Sequence, residues 1–125
     1  MEQDYLIDTN SIINFANKKL PSSGSLFVSK VIDINPIISI SSKIKIQGFA
    51  HPNNQMIELI EASTIIPLTD EMVDETIAIR KIHKIKLPDA IIAATAKTKN
   101  LTLITRNETD FDSVSGLTII NPWKI

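Results

Sequence analysis

Three aspartates, Asp8, Asp89 and Asp110, are the residues of this 125-residue chain whose type and placement suit chemistry. Asp8 ends the first β-rich run, Asp89 falls in the first turn of a late helix, and Asp110 lies in a loop after the fourth β-rich run, beyond Thr105-Arg106-Asn107. In an open parallel α/β sheet, loops converge at the carboxyl ends of the strands, so the three acids can share one rim. Singly, each has a plain explanation as a turn or cap residue, or as a negative charge favoured by a helix dipole. Together they are costly. Two carboxylates about 4 Å apart repel by roughly 4 kcal/mol at an effective dielectric near 20, so three of them require protons or a cation. No His or Cys stands beside them, and an all-oxygen donor set suits Mg2+ or Mn2+ over zinc. Such an ion activates water and offsets charge on a departing oxygen, which is what phosphodiester hydrolysis needs.

The elements that must position these acids are short. β-rich runs at 5–7, 36–40, 64–68, 101–105 and 117–120 alternate with segments of helical period at 11–16, 26–34, 43–50, 55–62, 69–83 and 89–99. That alternation predicts an α/β fold, a mainly parallel sheet with helices on both faces. Residues 21–24 read as a turn, Ser41 and Ser42 as caps of the helix over 43–50, and Pro88 as the opening residue of the helix that carries Asp89. Ile38-Ser39-Ile40 and Ile44-Lys45-Ile46 also alternate like strands, which blurs that boundary. Phe15, Phe49 and Phe111 are assigned to the core, and Trp123 in the tail is expected to pack.

Composition narrows the classes. With 43% hydrophobic and 22% charged residues, positions 1–125 are expected to form one domain with a core of its own. Thirteen basic against fourteen acidic residues exclude a wholesale basic surface, though not a local one. The absence of cysteine removes disulfides, thiolate metal sites and thiol nucleophiles, and fits the cytoplasm. The start lacks a signal pattern and no apolar run could cross a bilayer, so a soluble protein with no membrane partner is expected. The only glycines, Gly24, Gly48 and Gly116, cannot form a Gly-x-Gly-x-x-Gly phosphate turn, which excludes a dinucleotide-binding domain. An aspartyl-phosphate enzyme is a weak fit, because Asn10 stands where a haloacid-dehalogenase-like phosphatase has its second aspartate and no acidic pair is present for a receiver.

Four stretches together resemble the PIN-domain nucleases, and more narrowly the VapC-like toxins of bacterial toxin–antitoxin pairs. They are Leu6-Ile7-Asp8-Thr9-Asn10, the segment 39–49, the segment 87–96 beginning Leu87-Pro88-Asp89, and the segment 103–111 ending Thr109-Asp110-Phe111. The resemblance implies a three-layer α/β/α sandwich, PIN-like, acting as an Mg2+- or Mn2+-dependent endoribonuclease on structured RNA. It also implies a homodimer and a cognate antitoxin that blocks the acidic pocket. Asp8, Asp89 and Asp110 would then be the catalytic and metal-holding residues.

One position departs from the family pattern. Lys45 aligns with the family's glutamate in the helix after strand two, and no acid lies between Asp33 and Glu58 to replace it. Three aspartates and one ammonium carry a net −2 where four carboxylates would carry −4. The ammonium can itself take the cation's place, so activity in this chain is expected to be impaired. A non-catalytic PIN-like module that binds antitoxin or RNA is the alternative.

Thr9, Asn10, Thr105 and Asn107 are candidate supports for the acids, Thr9 and Asn10 serving equally well as helix caps, and Asp112 is a possible extra acid on the rim. Between 80 and 99, Arg80, Lys81, Lys84, Lys86, Lys97 and Lys99 face Asp89 alone, and the first four are candidate RNA contacts. A solvated helix face explains them equally well, and no aromatic residue interleaves them. His51 and His83 have no metal-type partner at helical spacing and carry no assignment.

Overall fold

The structure, a computed structural model, describes residues 4–125, so residues 1–3 of the start that lacks a signal pattern lie outside it. In chain order the elements are β1 (Tyr5–Ile7), α1 (Thr9–Ala16), α2 (Ser22–Ile34), β2 (Ile37–Ser39), α3 (Ile40–Gln47) and α4 (Asn54–Ala62). They continue with β3 (Thr64–Ile66), α5 (Asp70–Ile82), α6 (Leu87–Thr98), β4 (Thr102–Ile104), α7 (Glu108–Asp112) and β5 (Ile119–Ile120). Every strand pair is parallel. β4 lies between β1 and β5, with Leu6 opposite Leu103 and Ile7 opposite Ile104, while β2 pairs with β3. β1 and β2 lie side by side and bring the two ladders together.

The strands are short and almost wholly apolar because both faces are covered. Successive side chains point to opposite faces of a strand, so neighbours in sequence enter different cores. Leu6 and Leu103 join Ile37 and Ile66 in one cluster with residues of α5, α6 and α7. Ile7, Ile38 and Ile104 join a second cluster with residues of α1, α2, α3 and α4. The result is the three-layer α/β/α sandwich predicted from the sequence.

Several boundaries shift, each for a local reason. α2 starts at Ser22, inside the expected turn, with the Pro21 carbonyl accepting from Ser25 N–H at 2.8 Å. Gly24 is therefore helical and abuts the tail: a Cβ there would lie 1.8 Å from the Pro122 carbonyl oxygen, so only glycine permits the approach. α3 is capped by Ser39, whose Oγ accepts from Ser42 N–H at 3.2 Å, and not by Ser41 or Ser42. Helical winding separates the alternating isoleucines, burying Ile46 completely and leaving Ile44 66% exposed. Phe111 is fully buried, Phe15 packs at the edge of the second cluster, and Phe49, just past the end of α3, is 37% exposed, which removes it from the expected core. The segment carrying Asp110 is the short helix α7 and not a loop.

Candidate functional site

Asp8 is placed by the register of the sheet. With Ile7 opposite Ile104, the residues after both strands emerge side by side, and Asp8 N–H donates to the Ile104 carbonyl at 2.9 Å. The Asp8 carboxylate is buried and caps α1: Oδ1 accepts from Thr9 N–H at 2.8 Å, and Oδ2 accepts from Thr105 Oγ1 at 2.6 Å and Asn10 Nδ2 at 3.1 Å. Burial pushes its pKa above the ordinary carboxylate value. The Thr105 and Thr9 hydrogen bonds oppose that rise, the Asp89 charge adds to it, and the Lys45 charge pulls it back.

Asp89 is the third residue of α6, behind Leu87 and Pro88, and is partly buried. Its pKa is also raised, first by burial and then by the negative charge of Asp110, while Lys45 and Lys86 act in the opposite direction. Asp110 accepts a hydrogen bond from Asn107 Nδ2 at 2.9 Å. The structure thus brings Asp8, Asp89 and Asp110 into one electrostatic neighbourhood, with Lys45 inside it. Lys45 arrives on α3, which packs against α6 with Ser41 Oγ donating to the Pro88 carbonyl at 3.5 Å. One helical turn beyond Ser41, the exposed Lys45 side chain projects its charge onto both aspartates.

The supporting residues divide their roles. Asn10 and Thr105 hold Asp8, and Asn107 donates its backbone N–H to Thr105 Oγ1 at 3.0 Å and its side chain to Asp110. Thr9 uses its backbone for Asp8 and turns its hydroxyl to Ser42 Oγ at 2.9 Å. Ser42 is a support that the sequence reading took only for a cap; the signal for it was three serines, Ser39, Ser41 and Ser42, at the carboxyl end of β2. Asp112 is exposed and is not among the charges acting on Asp8 or Asp89.

The basic run is dispersed. Lys86 reaches Asp89 electrostatically, whereas Arg80, Lys81 and Lys84 line a separate open depression of about 470 Å³ with Ile77, His83 and Ile85. Lys97 is paired with Glu75 at 2.5 Å.

The resemblance to the PIN-domain nucleases implies a divalent cation, and the donor set tests whether one fits. Among the described residues, no group of three or more His, Asp or Glu side chains is gathered closely enough to hold an ion. A lysine charge occupies the same neighbourhood and partly neutralises the aspartates. The chain as it stands does not fit a tightly held divalent cation.

The layers, the parallel ladders and the acidic rim define a three-layer α/β domain with its polar site at the carboxyl ends of β1 and β4. Residues 5–117 match the PIN domain, and the chain belongs to that family. A comparison with curated proteins finds no match. Among solved structures, it is similar to a toxin–antitoxin complex from Klebsiella pneumoniae, with 28% identity over 98% of this chain and 100% of that one and a TM-score of 0.75. Two others share the fold at lower identity. VapBC2 from Rickettsia felis bound to a promoter DNA fragment has 21% identity over 95% and 98% of the two chains, with a TM-score of 0.77. VapBC-1 from nontypeable Haemophilus influenzae has 22% identity over 98% and 100%, with a TM-score of 0.77. No helix among the described residues is long and apolar enough to cross a membrane.

Proposed function

We propose that this chain is the VapC-like toxin partner of a toxin–antitoxin pair, built on an endoribonuclease scaffold whose hydrolytic step Lys45 attenuates. The observation that carries the reading is the placement of Lys45, whose charge acts on both Asp8 and Asp89. Asp8, Asp89 and Asp110 share one electrostatic neighbourhood, too loosely gathered among the described residues to hold an ion, and the Lys45 ammonium supplies part of the positive charge an ion would bring. What the chain retains is recognition: structured RNA at the acidic rim and an antitoxin over it, in a cytoplasmic homodimer. The toxin–antitoxin complexes among its structural neighbours support the antitoxin partner.

The test is Lys45→Glu in a metal-titrated RNA cleavage assay. Divalent-dependent cleavage by the folded variant, above that of the unsubstituted chain, is the expected result. A folded variant that stays silent at every metal concentration favours the second reading, a PIN-like module that only binds, for which the same lysine also speaks.

A further inference from the structure

The residues after β4 divide between the acids and the outer surface. Thr105 Oγ1 donates to Asp8 Oδ2 at 2.6 Å, and Asn107 Nδ2 donates to Asp110 Oδ2 at 2.9 Å. Arg106, between them, donates its backbone N–H to Asn10 Oδ1 at 3.3 Å, so its main chain is tied to the carboxylate network. Its exposed side chain lies over the indole of Trp123, with the guanidinium carbon 4.8 Å from the ring centroid. Neither the Lys97–Glu75 nor the Lys124–Glu108 ion pair involves Arg106.

The platform under this arginine is itself built. Trp123 packs against the core cluster of α1, α2, α3 and α4, and its backbone N–H donates to Asn121 Oδ1 at 2.9 Å. Asn121 Nδ2 and Lys124 Nζ both donate to Glu108 Oε2, at 3.0 and 2.8 Å. Pro122 closes onto Gly24, where no side chain would fit.

A guanidinium stacked on an aromatic face keeps its N–H edge free, and the ring restricts a side chain that otherwise samples many rotamers. The free fork matches two oxygens of a phosphate. Its outer plane can stack a base, a mode typical of RNA recognition and one that the residues at 80–99 lack. We propose that Arg106, held over the Trp123 ring, grips the RNA phosphate next to the one that faces the acidic cluster. This rests on the reading of the chain as an RNA-acting PIN scaffold and adds a residue that positions the strand.

The experiment measures binding of a fluorescently labelled stem-loop RNA to the unsubstituted chain, Arg106→Ala, Arg106→Lys and Trp123→Phe over a series of KCl concentrations, with thermal unfolding as the fold control. Arg106→Ala is expected to weaken binding about tenfold or more and to reduce the slope of log K against log[salt] by about one. Arg106→Lys should keep the slope and lose part of the affinity, because an ammonium has no planar fork. Trp123 is the sole tryptophan, so RNA should change its emission in the unsubstituted chain and much less in Arg106→Ala. RNA binding with the same affinity and slope in folded Arg106→Ala overturns the proposal and leaves the functional reading intact. If that variant instead weakens only binding of a partner protein, Arg106 belongs to the antitoxin contact and the proposal fails. If the unsubstituted chain binds no RNA, the functional reading falls and the proposal with it.

Discussion

Replacing Lys45 by glutamate reverses one charge in a cluster that otherwise holds Asp8, Asp89 and Asp110. Because Lys45 is exposed, water is the appropriate medium for the arithmetic. At about 6 Å in bulk water a pair of unit charges interacts by roughly 0.7 kcal/mol. Turning +1 into −1 beside a divalent ion changes four such products, about 3 kcal/mol, or on the order of 100-fold in affinity. Physiological salt, with a Debye length of about 8 Å, reduces this to about tenfold at the least. The same substitution adds a fourth carboxylate that nothing neutralises in the absence of metal. Lys45→Glu should therefore melt at a lower temperature than the unsubstituted chain in EDTA and recover on adding Mg2+ or Mn2+, by the linkage of binding to stability. Thermal unfolding across a metal titration reads this without any RNA. Identical metal responses in the two folded proteins would refute the electrostatic reasoning, whatever the cleavage assay gave.

Three further outcomes follow from the same geometry. Asp8 and Asp89 hold their protons more tightly folded than unfolded, so between the unfolded pKa near 3.8 and the raised folded value the native state carries more protons. Stability should fall as pH rises through that window and level off above it; Asp89→Asn should raise the neutral-pH urea midpoint and flatten the profile, and a lowered midpoint would contradict the assigned direction. Thr105→Val removes the hydroxyl that donates to Asp8 and accepts from Asn107 N–H, and should cost about 2 to 3 kcal/mol of unfolding free energy by urea titration. Gly24→Ala sets a methyl against the Pro122 carbonyl and should cost about 1 to 3 kcal/mol; a shift in Trp123 emission would show the tail moving, and an unchanged melting curve would show that the contact is slack.

Much of this was legible in the sequence because each strand is a short apolar run ending in a polar residue, and a parallel sheet places all such endings on one edge. Asp8 was found that way, Asp89 from its place behind Pro88 in the first turn of a helix, and Lys45 from the resemblance to the PIN family, whose pattern has glutamate there. Boundaries were less legible where two periodicities competed: the Ile-x-Ile repeats around 38–46 suit a strand, and only the Ser39 cap decides for a helix. The helical state of 108–112 escaped notice because five residues span too little chain to show a period. Ser42 against Thr9 and Trp123 beneath Arg106 are pairings between distant parts of the chain, and no local pattern announces either.

The hydrogen bond from Thr105 to Asp8 joins residues 97 positions apart. The amino-terminal acid therefore gains its orienting partner only after β4 has emerged from the ribosome and docked beside β1. A nascent chain that has made only α1 to α5 carries Asp8 and Lys45 but neither Asp89 nor the threonine clamp. Synthesis order thus delays assembly of the acidic rim, so that a chain broken off early leaves a fragment without the complete site.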